Sequence, residues 1–173
     1  MTITRFCLVR HGETDWNVAR RLQGHTDIDL NARGLAQAKQ MAAALKNINL
    51  QFDVLYTSDL QRAAKTAQAI EDLFKTSAIN NVALRERHLG ALQGLTIDEA
   101  PAKEPELWKS HLSRNVDENL RDGESIQEFS GRIRTALEQI RAQHTGKTIL
   151  LVSHGGALDT VSYTHLRAHE TPE

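Results

Sequence analysis

Two histidines, His11 and His154, each stand just beyond an apolar run: Phe6-Cys7-Leu8-Val9 for the first, Ile149-Leu150-Leu151-Val152 for the second. Such runs read as strands buried on both faces, and neighbouring parallel strands open their carboxyl ends on one edge of a sheet. The two imidazoles are therefore expected to meet. Either one alone would more often be a structural hydrogen-bonding group at a strand end, but the matching contexts make the pair a candidate site. A metal is the first rival. Zinc would ask for a third His, Cys or carboxylate close by, and the residue before His11 is Arg10, whose permanent charge opposes a cation. An anion suits the surroundings better. Arg62 belongs to the first turn of the helix after Val54-Leu55-Tyr56, so it projects from the end of a third strand. With Arg10 it supplies two guanidinium forks of the shape that grips phosphate oxygens.

The elements that must position these groups are legible from periodicity. Leu35, Ala38, Ala42, Leu45 and Ile48 follow helical spacing after Asn31, with Lys39 and Gln40 on the watered side. Ser58-Asp59-Leu60-Gln61 has the spacing of a capping box, opening a helix that buries Leu60, Ala63, Ala67, Ile70 and Phe74. Val82-Ala83-Leu84 reads as another strand, followed by the charged turn Arg85-Glu86-Arg87-His88. Between Gly90 and Gly123 the pattern weakens into loops and short helices, a candidate cover for the site. A second capping box, Ser125-Ile126-Gln127-Glu128, opens a helix whose buried face is Ile126, Phe129, Ile133, Leu137 and Ile140. Strands alternating with helices predict an α/β fold: a three-layer α/β/α sandwich with a mainly parallel central sheet.

Length and charge bound the rest. At 173 residues and a formal net charge of -1, the chain fits one core and offers no bulk charge for nucleic acid or a membrane surface. Neither kind of partner is expected. No stretch has the length of a membrane span or the makeup of a signal peptide, which predicts a cytoplasmic protein. The single cysteine, Cys7, lies inside an apolar run and is expected to pack as a small hydrophobe.

At this point the residues resemble a known family, the histidine phosphatase superfamily, which includes the cofactor-dependent phosphoglycerate mutases. Its Arg-His-Gly signature is matched by Arg10-His11-Gly12-Glu13-Thr14, continued by Trp16-Asn17. Further likeness lies in Leu22-Gln23-Gly24 with Asp27 and Leu30, in Ser58-Asp59-Leu60-Gln61-Arg62-Ala63, in Leu84-Arg85-Glu86, in Gly123-Glu124-Ser125 and in Val152-Ser153-His154-Gly155. The resemblance implies a phosphoglycerate mutase-like fold and a division of labour. His11 would attack phosphorus; Arg10, Arg62 and His154 would hold the phosphoryl group; Glu86 would protonate the departing oxygen and then help activate water. Asn17, Gln23, Gly24 and the backbone of Gly155 match positions lining the pocket in relatives. Asp15, Glu13, Arg20, Arg21, His25, His88 and Trp108 receive no firm role: Glu13 is a candidate for orienting the loop and Arg20 or Arg21 for meeting an acidic substrate group, but exposed arginine pairs are more often solvated charges.

The resemblance therefore implies a metal-independent phosphatase acting on a small phosphorylated metabolite through a phosphohistidine, with no cofactor. Phosphoglycerate mutase is the alternative, with 2,3-bisphosphoglycerate needed as primer only in that case. The cover, residues 91 to 122, is short beside the basic insertion of typical glycolytic mutases, which favours the phosphatase. A non-catalytic phospholigand-binding module ranks lower, because both the nucleophile His11 and the acid Glu86 are present. Residues 1–161 are expected to form the catalytic domain, incomplete at its C-terminal side. Residues 162–173 do not look like the family's continuation and are expected to be a tail of other origin. His165 and His169 within it have i, i+4 spacing but no further ligand, and no function is assigned to them. The sequence does not fix the oligomeric state.

Overall fold

The computed structural model describes residues 2–166, with the side chains of 163–166 outside the description. Strand β1 (Arg5–Arg10) and strand β4 (Thr148–Ser153) run parallel in full register, from Arg5 beside Thr148 to Arg10 beside Ser153. Strand β2 (Val54–Thr57) pairs with the other edge of β4, and β3 (Ala78–Asn80) with β2, giving the parallel order β1-β4-β2-β3. Helices cover both faces. Ile149 and Leu151 of β4 pack against α6 (Ile126–Gln143) and α7 (Gly155–Leu166), through Phe129, Ile133, Leu137, Ala157 and Val161. Leu150 and Val152 point the other way, onto α2 (Ala32–Asn47) and α3 (Gln61–Phe74), through Ala42, Ala63, Ala67 and Ile70. A continuous apolar run on β4 is what a strand with two covered faces requires. Cys7 packs, half-buried, against this second cluster, and burial pushes its thiol up.

Several local expectations needed correction. Val82–Leu84 is a 3₁₀ turn: Asn81 caps it by accepting from Ala83 N–H, and Leu84 plugs into the core. The strand lies just before it, at Ala78–Asn80. On α2 the buried face is Gly34, Ala38 and Ala42, so Leu35 and Ile48 are exposed. The face is set by Gly34, where a methyl group would collide with the backbone carbonyl of Glu13. The capping box at Ser58 does not form. Helix α3 starts at Leu60 without a side-chain cap, and Asp27 Oδ1 instead accepts from Gln61 N–H at 2.7 Å. The box at Ser125 forms as expected, closed by Glu128. A short helix α1 (Asp15–Val18), capped by Thr14 and Asn17, gave no apolar period to detect.

Residues between Gly90 and Gly123 do form short pieces, including α4 (Ala100–Lys103) and α5 (Pro105–Leu112). They build a small core of their own from Leu89, Leu92, Ala100 and Leu120, with Trp108 packed on it. Helix α7 runs on to Leu166, so the boundary expected at 161 falls inside a helix. The remainder of the predicted tail, including His169, lies outside the described residues, as does the side chain of His165.

Candidate active site

Pairing of β1 with β4 ends at Arg10 and Ser153, and one more hydrogen bond, His11 N–H to Ser153 O at 3.1 Å, brings His11 out beside His154. Their ring centroids are 5.2 Å apart. His11 Nδ1 lies 2.6 Å from the carbonyl oxygen of Gly12, which can only accept. Nδ1 therefore carries the proton, and in the neutral ring Nε2 carries the lone pair. The loop is pinned from behind. Gly12 N–H donates to Thr66 Oγ1 at 3.0 Å, and that hydroxyl donates to Arg62 O at 2.7 Å. Burial holds the His11 pKa down at about 4, with Arg62 and Arg10 pushing the same way and the Gly12 bond opposing. Burial is a larger cause than the arginine charges.

Arg62 is 1% exposed. Its two terminal nitrogens donate to Thr26 O at 2.8 Å and Gly24 O at 2.7 Å, so α3 and the 23–27 loop fix the fork rigidly. Its Nε, also buried, has no partner among the described residues. Burial lowers its pKa to about 10, against the pull of Glu86 and Asp27, so the guanidinium remains charged at neutral pH. His154 is fully buried and does not line the cavity described below. Its Nε2 is 2.8 Å from Ser58 Oγ, which explains why Ser58 does not cap α3. His154 Nδ1 is buried without a partner among the described residues, and burial, then Arg62, hold the ring well below the ordinary imidazole range.

Glu86 sits opposite on the loop after the 3₁₀ turn. One carboxylate oxygen accepts from Gly156 N–H at 2.9 Å, at the first turn of α7, and the other from Arg87 N–H at 2.9 Å. A methyl group on Gly156 would stand 2.5 Å from Glu86 Oε1, so only glycine lets the carboxylate come this close. Gly156 received no role from the sequence, although it directly follows Val152-Ser153-His154-Gly155.

Arg10, His11, Asn17, Gln23, Gly24, Arg62, Glu86, Gly155 and Gly156 all face one cavity of about 1310 Å³. Thr14 orients two of them: its N–H donates to Asn17 Oδ1 at 2.9 Å, and its hydroxyl lies 2.9 Å from Gln23 Oε1, leaving the NH₂ group of each amide without a partner among the described residues. The far wall comes from the cover, at His111, Leu112, Arg114 and Val116, and from α6. Of the residues left without a firm role, Arg21 reaches the cavity but is bonded to Gly94 O and Glu99, and Glu13 bonds the side chain of Asn31. His25 donates from Nε2 to Glu86 O at 2.8 Å, and Arg132, unmarked in the sequence, and Glu124, noted there only within Gly123-Glu124-Ser125, brace the same loop. Among the described residues no group of three metal-ligating side chains converges.

The family model for the histidine phosphatase superfamily (branch 1) matches residues 6–171. The chain belongs to the histidine phosphatase superfamily. The chain is 41% identical over 153 residues to phosphoglycerate mutase-like protein 4 of Arabidopsis thaliana, an alignment covering 87% of this chain and 66% of that one. To the metal-independent phosphoserine phosphatase of the same plant it is 42% identical over 161 residues, covering 92% and 67%. The chain thus spans about two thirds of the length of these relatives. Among solved structures it resembles a phosphoserine phosphatase of Entamoeba histolytica in complex with 3-phosphoglyceric acid, with a TM-score of 0.79, 32% identity, and coverage of 95% and 81%.

The buried histidine gives this chain a pH-dependent stability of definite sign. His11 titrates near 4 when folded and near 6.5 when unfolded, so between these values the unfolded chain holds more protons and stability rises with pH. The contribution is complete above 6.5 and is lost as pH falls towards 4. The loss is on the order of 3 kcal/mol, and His154 adds to it in the same direction. Urea midpoints of the wild type and His11→Gln should therefore diverge between pH 7 and 4.5, with the variant losing less. Parallel curves would show that His11 is not held neutral.

Proposed function

We propose that this chain is a metal-independent phosphomonoester phosphatase that turns over a small phosphorylated metabolite through a phosphohistidine at His11. The observation that carries this reading is the state of His11: neutral by burial, its Nδ1 committed to Gly12 O, its Nε2 free on a cavity wall beside two arginines. In the first step Nε2 attacks phosphorus, the bond to the leaving oxygen breaks, and the carboxyl of Glu86 gives that oxygen its proton. In the second, Glu86 takes a proton from water as its oxygen attacks phosphorus, the P–N bond breaks, and His11 is restored.

Arg10 and Arg62 supply charge to the equatorial oxygens, whose negative charge must be matched throughout the transfer. Buried polar atoms are normally paired. The unpartnered Nε of Arg62 is a donor that a phosphoryl group would satisfy, and Nδ1 of His154 is one when the Ser58 hydroxyl donates to Nε2, so His154 acts from beneath the pocket floor. The free amide groups of Asn17 and Gln23, and the backbone at Gly24 and Gly155, are the remaining contacts of this proposal. The relatives named for phosphoserine, and the amoebal enzyme holding 3-phosphoglyceric acid, support a small phosphorylated acid as substrate. A cytoplasmic setting and independence of any cofactor belong to the same proposal.

Likeness to a phosphoglycerate mutase-like protein keeps the mutase reading in play. There the phosphohistidine would pass its phosphoryl group to a second hydroxyl. A panel of phosphomonoesters, including phosphoserine and 3-phosphoglycerate, is expected to release inorganic phosphate at rates unchanged by EDTA. Primer-dependent conversion of 3-phosphoglycerate to 2-phosphoglycerate without phosphate release would establish the mutase instead. Tight binding without turnover in either assay would establish a binding module.

A further inference from the structure

We propose that Arg132, on α6, is the positioning residue that holds Glu86 at the geometry for proton transfer; the inference rests on the role given to Glu86 above. Arg132 does not line the cavity. The stretch it contacts, residues 83 to 86, has left the sheet, so its carbonyls need donors from elsewhere. Arg132 provides them. Nη1 donates to Ala83 O at 2.7 Å and Arg85 O at 3.0 Å, and Nη2 donates to Glu86 O at 3.1 Å. Its remaining N–H groups grip Glu124, with Nε to Oε1 at 2.6 Å and Nη2 to Oε2 at 2.7 Å.

Glu124 extends the clamp past Glu86. Its Oε2 accepts from His88 N–H at 2.8 Å, its own N–H donates to His88 O at 2.9 Å, and its carbonyl accepts from Arg87 Nε at 2.7 Å. The loop is thus tied on both sides of the acid to one helix and to the residue before its cap. The ion pair also cancels the guanidinium charge that would otherwise stand unmatched near the acid. Glu124 stays ionised: burial raises its pKa, and the bonds from Arg132 and His88 more than reverse that. Only a fork of five donors can serve three carbonyls and a carboxylate together. Lysine cannot.

A loose acid has a kinetic signature that a loose fold lacks. Protonation of the leaving oxygen matters when the leaving group is basic and hardly at all when it is a stable anion. kcat/KM reports the first step, in which that group departs, so a series running from a primary alkyl phosphate through phenyl and 4-nitrophenyl to 2,4-dinitrophenyl phosphate isolates the effect. Arg132→Lys should lower kcat/KM for the alkyl ester by about 10²-fold while changing the dinitrophenyl ester less than about 3-fold. Glu86→Gln, run beside it, should show the same selectivity with a larger loss. If Glu86→Gln is selective and Arg132→Lys lowers all esters equally or none, the inference is wrong and the acid stands. If neither is selective, Glu86 is not the acid and both readings fall. Should Arg132→Lys not fold, Glu124→Gln is read on the same series, where selective loss supports the clamp and uniform change overturns it.

Discussion

Replacing His11 by alanine is expected to lower turnover of every phosphomonoester by about 10⁴–10⁶-fold, the scale on which removing a nucleophile collapses a two-step mechanism. The loss should fall on kcat, because the arginines that hold the phosphoryl group remain. His11 is 9% exposed, and its ring makes one hydrogen bond, to Gly12, and a tilted contact with His154 among the described residues, so the variant should fold. It should also lose less stability at pH 4.5 than the wild type, since one buried imidazole no longer has to be charged. Steady-state kinetics with melts at two pH values check both halves. A variant keeping even a tenth of wild-type kcat would mean that another group attacks phosphorus.

Arg62→Ala should cost about 10³-fold in kcat/KM, in the range found when a fixed cationic donor is removed from a developing anion. Its charge is buried beside the attacking ring and, at a pKa of about 10, fully present at pH 7. The same change leaves Gly24 O without its donor, at roughly 1–3 kcal/mol for a buried group left unpaired, while Thr26 O keeps Ile28 N–H, so the melting temperature should fall as well. Arg62→Lys separates the two effects. A point charge restores electrostatic attraction but not the fork that reaches two carbonyls, so activity should recover only in part. Kinetics and thermal melts of the two variants decide this; full activity in Arg62→Lys would show that the fork has no part in holding phosphate.

Much of this site was readable because buried strands announce where they stop. The apolar runs before His11 and His154 placed both at one sheet edge, and the register of Arg10 with Ser153 brings them together as expected. Arg62 could be placed because it follows β2 by a fixed number of residues. Glu86 could not be placed by pattern: the supposed strand before it is a 3₁₀ turn, and its position comes from long-range partners on α6 and α7. Those partners, Gly156, Arg132 and Glu124, give no periodic signal. Ser58 misled for a physical reason. Its hydroxyl had two uses, capping α3 or bonding His154, and spacing along the chain carries no information about a histidine 96 residues away. Leu35 likewise follows the helical period, yet the close approach of Gly34 to Glu13 turns α2 so that Leu35 faces out.

The most direct test of the phosphohistidine is to trap it. The wild-type chain, mixed with a ³²P-labelled phosphomonoester and quenched in alkali within the first turnover, should retain label that acid releases, and peptide mapping should find it on His11. Label absent from the protein while phosphate is still released, or label found on any other residue, would contradict attack by His11.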